Sequence, residues 1–283
     1  MLRNVEEVKT VTRPALRYFG GKFRLAPWII AQFPGHVCYV EPFGGAAGVL
    51  LRKEPSLFEI YNDLDGTVVN FFRVLRDQPD ELLRAISLTP YARAEQLLAF
   101  EEDVNLDPVE SARRLYVRAW QSHGGGRTQW RTGWRYQVTN KRGKSSIADW
   151  SQVDHLEAII ARLKMVQIDN DDCLRVIERY DRPDTLFYLD PPYVASTRSL
   201  RWNKKAYSFE INDEYHRRLA EKLNGIQGMA LLSGKPCDLY DELYGNWVRM
   251  EKTVPTDFQS KTVEALWLSP NVVKRQSQGR LGI

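Results

Sequence analysis

The chain has 283 residues, 43% of them hydrophobic and 27% charged, with a net charge of +4, which is enough apolar content to bury one large core or two smaller ones. No apolar run approaches the roughly 18 residues that span a bilayer, and the start MLRNVEEVKT lacks the apolar stretch of a secretory signal, so no membrane association is expected. Three cysteines (Cys38, Cys173, Cys237) and four histidines lie scattered without paired spacing; this excludes a zinc ribbon and a disulfide framework, and leaves a soluble, reduced, cytoplasmic, metal-free protein as the expectation.

Residues 14–75 read as alternating strand and helix. A short apolar strand over 35–40 runs into Glu41-Pro42 and a glycine-rich turn that opens a helix. A second strand over 57–61 ends in Asn62-Asp63, and Val68, Phe71, Phe72 and Leu75 give helical spacing over 65–75. Beyond 77 the character changes. An acidic helical segment (77–103) precedes Asp107-Pro108, an N-cap and first-turn proline that open a basic helix through Trp120. The following SHGGGRTQWRTGWRYQVTNKRGKSS has no helical period and is too long for a simple connection, so it reads as a functional loop or small β-rich element. The α/β pattern returns at Ser151, read as the cap of a helix carrying Val153, Leu156, Ile160 and Leu163. Strands follow over 165–168, 185–189, 229–232 and 264–268, with a helix around 214–223. The pattern predicts an α/β domain made of 1–76 and 151–283, interrupted by an inserted basic subdomain over 77–150.

Charge is concentrated in that insertion. Residues 111–150 hold nine Lys/Arg against the single acid Asp149, together with Trp120, Trp130, Trp134 and Trp150. Cations interleaved with flat aromatics suit a polyanion whose bases or sugars pack against them. A solvated charged face is the alternative.

Two motifs carry chemistry. Asp190-Pro191-Pro192-Tyr193 follows the apolar strand TLFYL, at the strand end where α/β proteins bind ligands. The prolines fix the backbone, so the Asp190 carboxylate and the Pro191 carbonyl become two acceptors at fixed separation, with Tyr193 as a flat face beside them. That set suits an exocyclic amine on a planar heterocycle; a proline-stiffened exit turn is the plainer reading. Upstream, Glu41-Pro42-Phe43-Gly44-Gly45 follows a strand, and its small residues admit close approach of a ligand to backbone. Asp63 ends the next strand, 22 residues past Glu41, about where a carboxylate meets ribose hydroxyls in nucleoside-binding α/β folds. Gly20-Gly21-Lys22 lacks the spacing of a P-loop.

Arg17-Tyr18-Phe19-Gly20-Gly21-Lys22, EPFGGAAGV, Asn62-Asp63-Leu64 and YLDPPY, in this order and around an insertion, resemble the motif set of Dam-like DNA adenine-N6 methyltransferases. The resemblance covers about 15–75 and 151–270, and the insertion by position. It implies an S-adenosylmethionine-dependent methyltransferase fold: a mainly parallel seven-stranded sheet with one antiparallel strand. It also implies that Tyr18, Lys22, Glu41, Phe43, Gly44, Gly45, Asp63 and Asp190 border the cofactor, with Asp172 (or its neighbours Asp169 and Asp171) near the cofactor adenine. Asp190, Pro191, Pro192 and Tyr193 would act on an adenine flipped out of double-stranded DNA. Arg127, Arg131 and Arg135 in the insertion, and Arg198 and Lys204 after the DPPY tetrapeptide, are the candidate DNA contacts. The insertion text differs from that of GATC-reading members. Some such enzymes work beside a cognate restriction endonuclease; the sequence assigns neither that partner nor an oligomeric state. Competing readings are transfer to cytosine N4, to RNA or to a protein amide, and a non-catalytic DNA-binding relative; Asp190 in first position favours adenine.

Overall fold

The structure, a computed structural model, describes residues 10–103, 105–124, 131–137, 145–198, 209–255 and 261–281. Among these, seven strands form one sheet: β1 (Cys38–Glu41), β2 (Phe58–Asn62), β3 (Gln167–Asp169), β4 (Thr185–Leu189), β5 (Met229–Gly234), β6 (Val248–Pro255) and β7 (Lys261–Leu268). Their order is β3-β2-β1-β4-β5-β7-β6. β1 pairs in parallel with β2 and β4, and β4 with β5, while β7 runs antiparallel to both β5 and β6. This is the mixed, mostly parallel sheet of the methyltransferase fold. The described helices are α1 (Ala26–Ile30), α2 (Gly66–Asp77), α3 (Pro79–Leu88), α4 (Arg93–Leu98), α5 (Pro108–Gln121), α6 (Ser146–Ser151), α7 (His155–Leu163), α8 (Cys173–Tyr180), α9 (Asp213–Asn224), α10 (Asp238–Leu243) and α11 (Pro270–Leu281). No described helix is long and apolar enough to cross a membrane.

The chain divides into two compact units. The first takes the N-terminal segment through Ala26, Gly45–Lys53 and Asp65–Ile168; the second takes Pro27–Gly44, Glu54–Leu64 and the chain from Asp169. In the second unit every residue of β4 and β5 is buried, as continuous apolar runs in covered parallel strands require. Val176 and Ile177 of α8 and Leu219, Ala220 and Leu223 of α9 share one core with Val40, Phe187, Leu232, Tyr240 and Trp267. Each such aliphatic side chain contributes about 1.5–3 kcal/mol by leaving water.

In the first unit, Asp65 caps α2 by accepting from the Thr67 N–H at 2.9 Å, and the predicted apolar stripe Val68, Phe71, Phe72 and Leu75 is buried. That stripe packs on α5, where the Phe71 and Tyr116 rings stack with centroids 6.3 Å apart. Asp107 caps α5 through the N–H groups of Val109 and Glu110, with Pro108 at the first position, as the sequence predicts. α2, grouped by sequence with the first α/β stretch, thus belongs to the same unit as the basic stretch.

Three local expectations change. The acidic segment is two helices, α3 and α4, because Pro90 cannot continue α3. Ser151 ends α6 rather than capping the next helix, which starts at His155 behind Asp154. The helix expected after the glycine turn is a run of turns over 45–52, with isolated bonds such as Leu51 N–H to the Ala47 carbonyl (3.0 Å). Ala47 at φ 53 breaks any regular helix there.

Candidate active site

The carboxyl ends of β2, β1 and β4 lie side by side in the second unit. Register pairs Glu41 with Tyr61 and Val40 with Phe187, so Phe43, Asp63 and Asp190 follow at matched distances beyond the pairing. Strand spacing sets the β2 and β4 ends about 10 Å apart, with the β1 loop between them. One fully buried side chain ties the end of β2 to the loops after β1 and β3. The Asn62 amide donates to the Pro42 carbonyl (2.9 Å) and the Asp171 carbonyl (3.0 Å), while its oxygen accepts from the Asp171 N–H (2.9 Å). The Asn62 carbonyl accepts from the Gly44 N–H at 2.7 Å, and Asn170 donates to the Asp63 carbonyl at 2.7 Å. Asn62 opens the Asn62-Asp63-Leu64 motif, yet sequence alone gives it no role; a polar residue closing a strand is the available signal. Gly44 has no room for a side chain: a Cβ would stand 2.2 Å from the Tyr61 ring and 2.9 Å from the Asn62 carbonyl. Glu41 is buried and accepts from the Tyr39 hydroxyl at 3.2 Å.

Asp190 follows β4 and is partly exposed. Tyr193 is held at both ends. Its hydroxyl donates to Glu264 Oε2 on β7 (2.5 Å), and its carbonyl accepts from Arg198 Nε (2.7 Å) and Nη2. Arg198 Nη1 pairs with Glu210 at 2.7 Å, leaving the Arg198 side chain only 8% exposed. His216 of α9 is fully buried, with its Nδ1 3.2 Å from the Tyr240 hydroxyl. Burial pushes its pKa down to about 4, opposed by Asp213 and the Pro192 backbone, so the ring is neutral at ordinary pH.

The acids 169–172 have distinct surroundings. Asp171 pairs with Arg179 at 2.7 Å, which holds its carboxyl below the usual range, and Asp169 pairs with the same guanidinium. Asp172 caps α8 through the Leu174 N–H (2.9 Å) and accepts from the Tyr215 hydroxyl (2.7 Å). Burial pushes the adjacent Cys173 thiol up to about 12.

In the first unit, Lys22 is buried and donates to the Gly20 carbonyl at 2.8 Å. Gly45, at φ +46, lies where an added Cβ would stand 3.4 Å from the Tyr18 ring. Gly48 is closer still, its Cβ position 2.8 Å from the Phe23 nitrogen, so the Tyr18–Lys22 motif and the 45–48 turn are packed together.

The basic stretch is less free than its charge count suggests. Arg113 bridges Glu110 (2.6 Å) and Glu95 (2.8 Å), and Arg114 also pairs with Glu110. Trp120 and Trp150 are core residues donating to the Ala15 and Thr89 carbonyls, with Arg13 stacked over Trp120 at 4.0 Å. The chain leaving α5 forms a short antiparallel bridge, Ser122 with Trp134. Arg135 lies just beyond, 3.5 Å from Asp149, while Arg131 is exposed and lines a cavity with Leu97, Phe100 and Glu101. Arg127, Trp130 and Lys204 lie outside the described residues.

Comparison with known proteins places the chain in a family. The family described as "D12 class N6 adenine-specific DNA methyltransferase" matches residues 18–261. "Type II methyltransferase M1.LlaDCHI" of Lactococcus lactis subsp. cremoris is 22% identical over 289 residues, covering 98% of this chain and 95% of the relative. The "DNA adenine methylase" of Escherichia coli (strain K12) is 27% identical over 225 residues, 76% of each chain, and that of Salmonella typhi is 25% identical over 244 residues, 82% and 84% of the two chains. The chain belongs to the D12 class of N6 adenine-specific DNA methyltransferases.

Proposed function

We propose that the methyl donor is S-adenosylmethionine and that the acceptor is an adenine flipped out of double-stranded DNA in the cytoplasm. The residues present fit such a donor. Gly44 lets the loop after β1 lie directly on the Tyr61 ring and the Asn62 carbonyl, and Gly45 adopts a positive φ beside Tyr18, so both turns are formed by residues without bulk that a donor could approach. Asp63 closes β2 with a carboxylate suited to ribose hydroxyls. Tyr18, Lys22, Glu41, Phe43, Gly44, Gly45 and Asp63 would hold the donor, with Asp190 at its border. Asp172 retains acceptor capacity beside its two hydrogen bonds and would meet the cofactor adenine. When bound, S-adenosylmethionine supplies a methyl group activated on a sulfonium.

The adenine amine is a weak nucleophile because its lone pair is delocalised into the ring. The Asp190 carboxylate and the Pro191 carbonyl accept its two hydrogens and localise the lone pair for in-line attack. Pro192 keeps the turn rigid, and Tyr193 stacks on the flipped base. The rate gain comes from positioning and electrostatics, without a covalent enzyme intermediate. The observation that carries this reading is the Asp190–Tyr193 turn at the end of β4, with Tyr193 anchored at both its carbonyl and its hydroxyl. Arg127, Arg131, Arg135 and Lys204 would contact DNA. A relative's name, Type II methyltransferase, supports a role beside a cognate restriction endonuclease.

Transfer of labelled methyl from S-adenosylmethionine to duplex DNA, single-stranded DNA and RNA tests this proposal. Labelling of duplex DNA supports it; labelling of RNA alone overturns it.

A further inference from the structure

Arg198 lies in the cationic stretch after the DPPY tetrapeptide, and by sequence alone it reads as a phosphate contact. In the folded chain its guanidinium is turned inward. Nε and Nη2 both donate to the Tyr193 carbonyl, and Nη1 pairs with Glu210. At the other end of the same tyrosine, Glu264 accepts the hydroxyl proton at 2.5 Å. Glu264 sits in β7, where it pairs with Lys252 of β6, so the acceptor is carried by sheet rather than by loop. Val194, the next residue along, is buried in the core shared by α9 and β7.

A ring that stacks on an extruded base gains most if its plane is set before the base arrives, because no rotamer freedom is then lost on binding. A tyrosine fixed only by its backbone keeps rotation about χ1 and χ2. Here the bond to Glu264 removes that freedom, and the Arg198 fork fixes the backbone from which the ring projects. A bond from a neutral hydroxyl to a carboxylate is of the stronger, charge-assisted kind. We infer that Glu264 and Arg198 are positioning residues that pre-set the Tyr193 ring for the target base, and that Arg198 does this instead of gripping a phosphate. The inference rests on the proposed role of Tyr193 as the stacking face.

The test uses the full-length chain and DNA free of N6-methyladenine, with wild-type methylation established first, so failure of the underlying reading shows before any variant is made. Tyr193→Phe and Glu264→Ala should each lower kcat about tenfold, the worth of one charge-assisted hydrogen bond, with KM for DNA within about twofold. Combining them should cost no more than either alone, since both remove the same bond. Glu264→Gln, which keeps an acceptor oxygen, should recover most of the loss. Arg198→Ala should lower kcat while the slope of log affinity against log salt stays unchanged. If Glu264→Ala does not fold, Tyr193→Phe and Glu264→Gln decide. Additive losses, or full kcat in Tyr193→Phe, overturn the Glu264 assignment. A salt slope reduced by about one unit in Arg198→Ala makes it a phosphate contact and overturns its positioning role.

Discussion

Gly44→Ala should be costly, and the size of the effect follows from what surrounds the position. Its new Cβ would stand 2.2 and 2.5 Å from two Tyr61 ring carbons and 2.9 Å from the Asn62 carbonyl oxygen. Ordinary carbon contacts begin near 3.5 Å, so something must move by about 1 Å. The Tyr61 ring is fully buried and has nowhere to swing. If the loop retreats instead, the 2.7 Å bond from Gly44 N–H to the Asn62 carbonyl lengthens or breaks. Overpacking costs about 1–3 kcal/mol and the lost bond about 1 more, for a total of about 2–4 kcal/mol. Urea denaturation of the variant should show that loss, and calorimetric titration should show weakened S-adenosylmethionine binding. Gly35→Ala is the matched control: nothing lies within 4 Å of its Cβ position, and stability should stay level or rise by about 0.4–1 kcal/mol. A Gly44→Ala protein within about 0.5 kcal/mol of wild type, with unchanged cofactor affinity, refutes the close-approach argument.

Other positions give independent checks. Asp63→Ala should weaken S-adenosylmethionine by about 1.5–3 kcal/mol, the worth of a charged hydrogen bond, while leaving DNA affinity intact; unchanged calorimetric affinity removes Asp63 from the pocket. Arg127→Ala and Arg131→Ala should each reduce the log–log salt slope of DNA binding by about one unit if they contact phosphate, or relax sequence preference at one base if they read an edge. Unchanged slope and preference in both would return the basic stretch to a solvated face. His216, its pKa lowered to about 4 by burial, takes up a proton in the unfolded chain below pH 6.5 but not in the folded one. Its contribution is therefore complete above pH 6.5 and is lost as pH falls towards 4; at pH 5 the deficit is about 2 kcal/mol relative to pH 7.5. His216→Phe should flatten the pH dependence of urea stability by that amount. An unaltered pH profile contradicts the burial argument.

Much of this was legible in the sequence because local and tertiary signals agreed. The buried run of β4, the stripe of α2 and the Asp107-Pro108 cap all act within one element, and all form where the pattern places them. The failures have physical causes. β6 escaped notice because its residues are mostly exposed and polar, and it pairs only with β7 at the sheet edge. α8 was hidden behind the run of acids that caps it. The strand-end positions of Asp63 and Asp190 were readable because a largely apolar run leads into each. Asn62, Glu264 and Arg198 act through partners 109, 71 and 5 residues away, and no periodicity encodes such pairings. Charge counting does not reveal that Arg113 is paired: Glu110 lies one turn away on its own helix, but Glu95 is brought to it by the packing of α4 on α5.

Methyl transfer to adenine N6, with the Asp190 turn as acceptor of the amine hydrogens, is tested most sharply by its product. Duplex DNA free of N6-methyladenine should be incubated with S-adenosylmethionine and either the wild-type protein or Asp190→Ala, then digested to nucleosides and resolved by mass. The wild type should yield N6-methyldeoxyadenosine, and a folded Asp190→Ala protein that still binds cofactor should yield none above background. Methyl groups found on cytosine N4 instead, or near wild-type adenine methylation by the folded variant, would contradict it.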